Sequence, residues 1–410
     1  GRAARLFHKL SGRSHGGALM TSHNRDIQPL GPAWERPLAA AELAGMLERE
    51  PALLPKLPEP IACLRGIRLY ARGEACAHAL WQGDEGASLS SSVCALGAFD
   101  GVHAGHRALV EATVAEAREA GVPALAVTFD PDPADVLTGP RPTSQLLSIA
   151  DRARLLLALG LDGVLVVPFT PALAATSHAD FMASVLVPVA HPSSVHVGSD
   201  FRMGRGGAGD VTALAEVGAR IGMAVRPHDL VRSLGETVSA TRVRDLVRSG
   251  DVEGAARLLC RYHAVSGTVV HGRGEGTAFG FPTANVECAT EACLPAEGVY
   301  AAVALVDGHA WPTAVNVGKP RTFCGEQGAA FMEATLVGFS GNLYDRPATV
   351  CFVAWLREPR KFASLEELER TVLGNIEWVR RYLGAGEVSL GEAAAPDAAA
   401  QGAASVSRDA

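Results

Sequence analysis

Short, continuous apolar runs alternate with segments of helical length over the middle of this chain. The runs are Val93–Leu96, Leu125–Phe129, Gly163–Phe169, Val195–Gly198 and Met223–Pro227. The segments between them are Arg107–Ala120, Leu147–Leu159, His178–Leu186 and Val211–Gly222. Strands that are apolar on both faces must be buried on both faces, which indicates a parallel sheet covered by helices. The sequence therefore predicts a doubly wound, Rossmann-like domain, which ends in two short helices at Ser239–Ser249 and Val252–Leu259.

A different pattern follows Tyr262, where β-prone runs succeed one another through Gly-containing turns without helices between them. These runs are Ala264–Val270, Val299–Val306, Trp311–Val317, Ala330–Val337 and Thr349–Leu356. Consecutive strands joined by turns are typical of an antiparallel barrel. One helix closes the region, from Ser364 as N-cap to about Leu383.

These patterns predict the domain boundaries. We expect one domain over residues 91–261 and a second over residues 262–384, followed by an Ala/Ser/Gly-rich, disordered tail at 385–410. Residues 1–90 form an N-terminal extension of unknown role, partly disordered. They precede the first motif and their start lacks apolar periodicity, so we expect them to be dispensable for catalysis.

Composition excludes several functional classes. Net charge is −7 at pH 7, which argues against a nucleic-acid partner, because nucleic-acid binders need a basic surface. The eight cysteines contain no CxxC pair, which indicates reduced thiols in the cytoplasm. No apolar run reaches the roughly 20 residues of a membrane span, and the basic N-terminus lacks the apolar segment of a secretory signal. We therefore expect a cytoplasmic protein without a membrane partner, and the sequence supports no particular oligomer.

The first chemical motif lies directly after the run Val93–Leu96 and opens a helix. It reads GAFDGVHAGH and contains Gly97, Phe99, Asp100, Gly101, His103, Gly105 and His106. The glycines permit a tight turn, and a helix N-terminus offers unpaired N–H groups to phosphate. His103 and His106 are three residues apart and face one side of the first helical turn. This position favours nucleotidyl transfer over a purely structural turn.

The second motif is a Gly-rich loop that leaves a strand and ends in the sequence PTAN. The loop contains Gly272, Gly274 and Gly280, and PTAN spans Pro282, Thr283, Ala284 and Asn285. Gly-rich loops can close over phosphates, although such a pattern is weak on its own. Neither a Walker lysine nor the protein-kinase signatures are present, which argues against those kinase classes.

The first motif and three further segments resemble the adenylyltransferase module of the bacterial riboflavin kinase/FMN adenylyltransferase (FAD synthetase) family. GAFDGVHAGH is similar to that module's GxFDGxHxGH, and TFDPDP to its TFxPHP, with Asp132 in place of the usual histidine. VGSDFRMG resembles VGxDFRFG, and VSATRVR resembles ISSTRIR, with Ala240 replacing a serine. The resemblance implies that ATP and flavin are bound by Gly97, Phe99, Asp100, Gly101, Gly105, Asp200, Phe201, Arg202, Thr241 and Arg244, with His103 and His106 as catalytic residues. On local grounds the lesser alternative is that Thr241 is a simple helix N-cap.

The PTAN segment resembles the riboflavin kinase module of the same family. That resemblance implies Thr283 and Asn285 as ligands of Mg²⁺, and Glu333 as the catalytic base that takes the proton of the ribityl 5′-hydroxyl. It assigns nucleotide and flavin binding to Gly272, Gly274, Gly280, Pro282 and Arg357. The expected fold class is thus α/β, a Rossmann-like nucleotidyltransferase domain followed by an antiparallel β-barrel riboflavin kinase domain. The expected substrates are riboflavin, FMN and ATP.

Departures from the family pattern cluster in the second domain. Arg321 stands where the family has proline, and Gly338, Asn342 and Asp345 replace two aspartates and a glycine. Two alternatives therefore stay open beside the bifunctional enzyme. One is an FMN adenylyltransferase with a weakened or inactive kinase module, and the other is a non-catalytic flavin-binding regulator.

Overall fold

The computed structural model describes residues 36–81, 90–137, 144–233, 235–271, 283–318 and 331–390. Within these ranges the chain forms two compact units. The first comprises residues 56–265 and 289–297, and the second comprises residues 36–55, 266–288 and 298–390. No helix in the described ranges is long and apolar enough to cross a membrane.

The first unit contains a seven-stranded sheet in the order β1-β2-β5-β4-β3-β6-β7. Its strands are β1 (Ile61–Ala62), β2 (Arg68–Ala71), β3 (Ser92–Leu96), β4 (Ala124–Asp130), β5 (Gly163–Pro168), β6 (Pro192–Gly198) and β7 (Ala224–His228). The five strands from β3 to β7 are parallel, and a two-stranded hairpin follows, β8 (Arg232–Ser233) with β9 (Glu236–Thr237). This sheet confirms the doubly wound, Rossmann-like prediction. Strand β3 lies between β4 and β6, so the order reverses beside it, where doubly wound sheets bind ligands.

Helices cover this sheet and follow it along the chain. They are Glu74–Leu80, Ala104–Ala120, Pro133–Leu137, Ile149–Ala158, Pro171–Ala174, His178–Phe181, Val187–Ala190, Val211–Ile221, Ala240–Arg248 and Val252–Leu259. The two helices expected at the end of the domain are the last two of these. Asp251 caps the second of them, because its carboxylate accepts a hydrogen bond from the backbone N–H of Gly254 at 2.7 Å.

Strands β1 and β2 differ from the sequence-based boundary, which leaves them in the N-terminal extension. Strand β2 pairs antiparallel with β5, from Arg68 opposite Val166 to Ala71 opposite Gly163. Leu69 is 2% exposed and belongs to the core of the first unit. A four-residue antiparallel edge strand carries almost no sequence periodicity, so only the pairing identifies it.

The second unit is a closed barrel in the order β10-β11-β14-β13-β12-β15, with neighbouring strands antiparallel. Its strands are β10 (His263–Val270), β11 (Ala284–Cys288), β12 (Gly298–Val306), β13 (His309–Gly318), β14 (Phe331–Leu336) and β15 (Pro347–Arg357). This confirms the predicted antiparallel barrel. The sequence analysis does not identify β11, which directly follows the Gly-rich loop and contains Asn285.

Terminal segments also pack against this barrel. The helix Leu365–Leu383 begins as predicted, with the Ser364 hydroxyl accepting a hydrogen bond from the backbone N–H of Glu367 at 3.2 Å. After that helix, the backbone N–H of Val388 donates to the carbonyl of Ala310 at 2.8 Å, and Val388 is buried. Residues 385–388 are thus ordered, although the sequence places them in the disordered tail. The helix Ala40–Leu47 also belongs to this unit.

Candidate active sites

The GAFDGVHAGH loop leaves the carboxyl end of β3 through a tight turn. Phe99 is buried and adopts a left-handed backbone with φ 55°, and Gly101 has φ 78°. A Cβ at Gly101 would lie 2.8 Å from Leu146 Cδ1, so both backbone angle and space require glycine there. The turn leads into the helix Ala104–Ala120, whose N-terminus lies at the carboxyl edge of the sheet.

His103 and His106 form a stacked pair at this helix N-terminus, with ring centroids 3.7 Å apart and planes inclined by 15°. His103 is the N-cap, because its Nδ1 accepts a hydrogen bond from the backbone N–H of His106 at 3.3 Å. The neutral His103 ring therefore carries its proton on Nε2. A Cβ at Gly105 would lie 3.2 Å from His103 Cε1, so glycine at that position leaves room for the ring.

Burial keeps both rings neutral at neutral pH. It lowers the pKa of His103 to about 4, and it lowers the pKa of His106 well below the usual value, with His103 and Arg152 contributing further. His106 Nδ1 is buried and has no hydrogen-bond partner among the described residues. An unpartnered buried nitrogen is costly unless a ligand occupies it, so this ring is suited to binding phosphate as a neutral donor.

Asp100 is almost fully buried, and protein groups surround its carboxylate. It accepts hydrogen bonds from the backbone N–H groups of Leu146 and Leu147 at 3.1–3.2 Å. Arg244 Nη2 donates to Asp100 Oδ2 at 2.7 Å, the oxygen that also accepts from Leu146 N–H. The resemblance assigns Asp100 to ligand binding, which stays a prediction; in the structure its carboxylate contacts Arg244 and the 146–147 backbone.

Arg244 lies on the helix Ala240–Arg248, beside Thr241. Its Nε donates to the carbonyl of Ser144 at 2.9 Å, which fixes the guanidinium group in a second direction. The cap of this helix is Ser239, whose hydroxyl accepts from the backbone N–H of Arg242 at 3.2 Å. The alternative that Thr241 is the N-cap is therefore wrong, and its side chain is exposed in the first turn.

Arg152 is a buried residue of this site that the sequence analysis missed. Its Nη1 donates to the carbonyl of Ala98 at 2.8 Å and to Thr128 Oγ1 and the carbonyl of Phe129 at 3.3 Å. Arg152 thus joins the loop after β3 to the end of β4. The helix Ile149–Ala158 contains two arginines, Arg152 and Arg154, and the local sequence does not show which of them is buried at the site.

Two more predicted loops leave the carboxyl ends of strands next to β3. Asp132, after β4, is buried, and its Oδ1 accepts from the backbone N–H of Ala134 at 2.9 Å. After β6, Asp200 and Arg202 are exposed, whereas Phe201 packs against the core. The β3 and β6 loops lie on adjacent parallel strands at the point where the strand order reverses.

The barrel brings a row of polar residues together across three strands. Asn285 on β11 is the Cα partner of Glu333 on β14, and Glu333 is the partner of Asn316 on β13. Asn316 Nδ2 lies 3.3 Å from Glu333 Oε2 and donates a hydrogen bond to it. The sequence analysis did not select Asn316, because only the strand register places it beside Glu333.

The remaining predicted residues of the barrel fall into three groups. Thr283 is half-buried and directly precedes β11. Arg357 lies beyond the buried Val299, which pairs with Asn316 on one side and with Arg357 on the other. Burial lowers the pKa of the Arg357 guanidinium, with Arg360 contributing. The third group lies outside the described residues and comprises Gly272, Gly274, Gly280, Pro282 and Arg321.

The departures at 338–345 fit the local backbone. Gly338 has φ 81°, and a Cβ there would lie 2.7 Å from the carbonyl oxygen of Ala385, so an aspartate does not fit. Asn342 Oδ1 accepts from the backbone N–H of Tyr344 at 2.9 Å. Asp345 has φ 64°, a conformation that aspartate and asparagine tolerate better than most residues. The three departures from the family pattern are therefore compatible with the backbone of this turn.

Fold and sites together define a nucleotidyltransferase-type domain followed by a riboflavin kinase-type barrel. Residues 86–242 match the FAD synthetase family and residues 259–383 match the riboflavin kinase family. The chain belongs to the family of bifunctional riboflavin kinase/FMN adenylyltransferases. It is 36% identical to the family member from Pseudomonas fluorescens over 288 residues, which cover 70% of this chain and 92% of that relative.

Two further proteins match a similar share of this chain. The bifunctional riboflavin kinase/FMN adenylyltransferase of Escherichia coli K12 is 32% identical over 293 residues, covering 71% of this chain and 93% of the relative. A crystal structure described as a macrolide-efflux protein from Streptococcus pneumoniae superposes with a TM-score of 0.66 at 26% identity. It covers 72% of this chain and 96% of that one.

Proposed function

We propose that this chain phosphorylates riboflavin to FMN with ATP, and then adenylylates FMN to FAD with release of pyrophosphate. The observation that carries the proposal is the presence of both chemical sites in one chain. The HxGH pair lies at the switch point of a doubly wound sheet, and the Asn285–Glu333–Asn316 row lies on a closed barrel. The relatives that match over 92–93% of their own length have both activities in their names.

Adenylyl transfer needs positioned charge rather than a protein nucleophile. A phosphate oxygen of FMN attacks the α-phosphorus of ATP, a new P–O bond forms, and the bond to the β-phosphate breaks. Neutral His103 and His106 donate hydrogen bonds to the phosphates, and Arg244 with Thr241 supplies charge and a hydroxyl from the neighbouring helix. Asp100 acts through Arg244, because their ion pair fixes the direction of the guanidinium group. Such preorganised donors stabilise the charge of the transition state.

Phosphoryl transfer in the barrel requires a proton acceptor for the terminal hydroxyl of riboflavin. Glu333 is half-buried on a strand whose neighbours on either side, Met332 and Ala334, are buried, so its carboxylate lies on the outer face. We assign the base role to Glu333. Thr283 and Asn285 provide oxygen donors of the kind Mg²⁺ prefers, and Asn285 adjoins Glu333 through the strand register. Mg²⁺ bound there would neutralise charge on the transferred phosphate.

We also propose that the enzyme works in the cytoplasm on small-molecule substrates, without nucleic-acid or membrane partners. Burial raises the pKa of the Cys94 and Cys288 thiols to about 12 and that of Cys293 to about 11. Thiols of this kind are protonated and inert at neutral pH. They suit a reducing compartment and need no disulfide partner.

Two parallel incubations test the function against both alternatives. Purified protein is mixed with Mg-ATP and either riboflavin or FMN, FMN and FAD are resolved by chromatography, and flavin binding is measured by titration. Formation of both products supports the bifunctional enzyme. FAD formed only from supplied FMN would identify an adenylyltransferase with an inactive kinase module. Flavin binding without either product would identify a non-catalytic regulator.

A further inference from the structure

The backbone around Glu333 is held rigidly by the barrel. Met332 and Ala334 on β14 are 0% and 1% exposed, and Val315 and Val317 on β13 are 0% and 3% exposed. Side chains alternate along a strand, so the residues between these pairs must lie on the opposite face. Glu333 and Asn316 are therefore directed outward from two strands whose inner faces are fixed in the core.

Register then brings the two outward side chains together. Glu333 and Asn316 are direct cross-strand partners, and directly opposed residues have Cβ atoms about 4.5–5.5 Å apart. The Asn316 amide reaches Glu333 Oε2 at 3.3 Å through Nδ2, its only donor group. The second carboxylate oxygen, Oε1, takes no part in this contact. Asn285 lies on the other side of Glu333, one strand away.

We infer that Asn316 is a positioning residue for phosphoryl transfer, which holds the Glu333 carboxylate so that its second oxygen faces the ribityl hydroxyl. The inference rests on the proposed kinase function. A glutamate has three side-chain torsions, and a carboxylate that samples many rotamers spends little time in the productive one. One hydrogen bond from a rigid neighbouring strand removes much of that freedom. Asn316 itself touches neither the transferred phosphate nor the accepted proton.

The position of Asn316 also separates it from the metal ligands. Asn285 and Asn316 flank Glu333 from opposite strands, so the same residue type serves two different purposes in one row. The proposed role of Asn285 uses its amide oxygen, the type of atom that Mg²⁺ prefers. On the Asn316 side the amide nitrogen is committed to Glu333, and a nitrogen donor is not a ligand for Mg²⁺.

The test is a double-mutant cycle with Asn316→Ala and Glu333→Gln. Asn316→Ala should lower kcat for FMN formation about tenfold, the lower end for loss of a hydrogen bond to a charged group, because the contact is exposed and long. The KM values for riboflavin and ATP should stay within about twofold, since substrate contacts are intact. In the Glu333→Gln background, Asn316→Ala should have no further effect, because a residue acting only through Glu333 loses its role with the carboxylate.

Two matched variants exclude a general loss of structure. Asn316→Asp is nearly isosteric but places a second carboxylate against Glu333, so it should lower kcat more than Asn316→Ala does. Glu287→Ala removes an exposed side chain on β11, two residues from Asn285, and should leave FMN formation unchanged. FAD formation from supplied FMN should be equal in all of these proteins.

The outcomes distinguish failure of the positioning role of Asn316 from failure of the proposed kinase function. Additive effects in the cycle, or a raised KM at unchanged kcat, would overturn the positioning role while leaving the kinase intact. A parental protein that makes no FMN would overturn the proposed kinase function. In that case crystal structures of the parental protein and Asn316→Ala decide the positioning role, and an identical Glu333 rotamer in both would refute it.

Discussion

Removal of the N-terminal strands is the most decisive perturbation of the first unit. A chain that begins at Gly86 lacks β1, β2 and the helix Glu74–Leu80, and β5 becomes an unpaired edge of the sheet. It also loses the ion pair between Arg68 and Asp130, which ties β2 to the carboxyl end of β4. We expect this chain to be insoluble or unable to convert FMN to FAD, contrary to the dispensability that the sequence suggests.

The expected loss of folding stability follows from the buried side chains that the shorter chain lacks. Ile67, Leu69 and Trp81 are 1%, 2% and 3% exposed. Full burial of one large apolar side chain contributes about 1.5–3 kcal/mol. Loss of three, with the hydrogen bonds between β2 and β5, is comparable with the roughly 5–15 kcal/mol that stabilises a whole domain.

A point substitution gives a graded version of the same test. Leu69→Ala should cost about 2–5 kcal/mol, whereas Leu365→Ala, at a side chain that is 63% exposed, should change stability by less than about 0.5 kcal/mol. Urea unfolding measures both effects, and chromatography of FAD made from FMN measures activity. A soluble chain beginning at Gly86 that makes FAD at the parental rate would refute the structural role of β2. The same conclusion would follow if the Leu69→Ala variant had the same urea midpoint of unfolding as the parental protein.

Three further predictions concern individual side chains. Replacement of both His103 and His106 by alanine should lower FAD formation from FMN by orders of magnitude and spare FMN formation; a parental rate of FAD formation would contradict the HxGH assignment. Glu333→Gln should lower FMN formation about 10²–10⁴-fold with little change in flavin binding, as turnover assays and titrations will check, and unchanged turnover would exclude the base role. Burial lowers the pKa of His103 and His263 from 6.5 to about 4. The unfolded chain binds more protons between these values, so stability is complete above about pH 6.5 and falls as the pH drops towards 4, by up to about 3 kcal/mol for each histidine. Urea unfolding at pH 7 and pH 5 measures this loss, and equal midpoints would show that the two rings are not buried in neutral form.

Local sequence patterns determined much of the architecture. The alternation of apolar runs with helices predicted the doubly wound sheet, because parallel strands covered on both faces need apolar residues throughout. Ser364 located the start of the helix Leu365–Leu383, because an N-cap acts within one helical turn. The HxGH and PTAN motifs were equally visible, since each lies within one short stretch of chain.

The tertiary structure alone decided which distant residues meet. The edge strand β2 is recognisable only from its pairing with β5, about 95 residues later in the chain. The motif around Asp100 gives no sign of its partner in the fold, which is Arg244, 144 positions away in the chain. Asn316 becomes part of the site through the register of β13 with β14. Such partners are set by closure of a sheet or a barrel, which satisfies backbone hydrogen bonds and buries side chains of remote segments at the same time, and neither requirement leaves a local trace in the sequence.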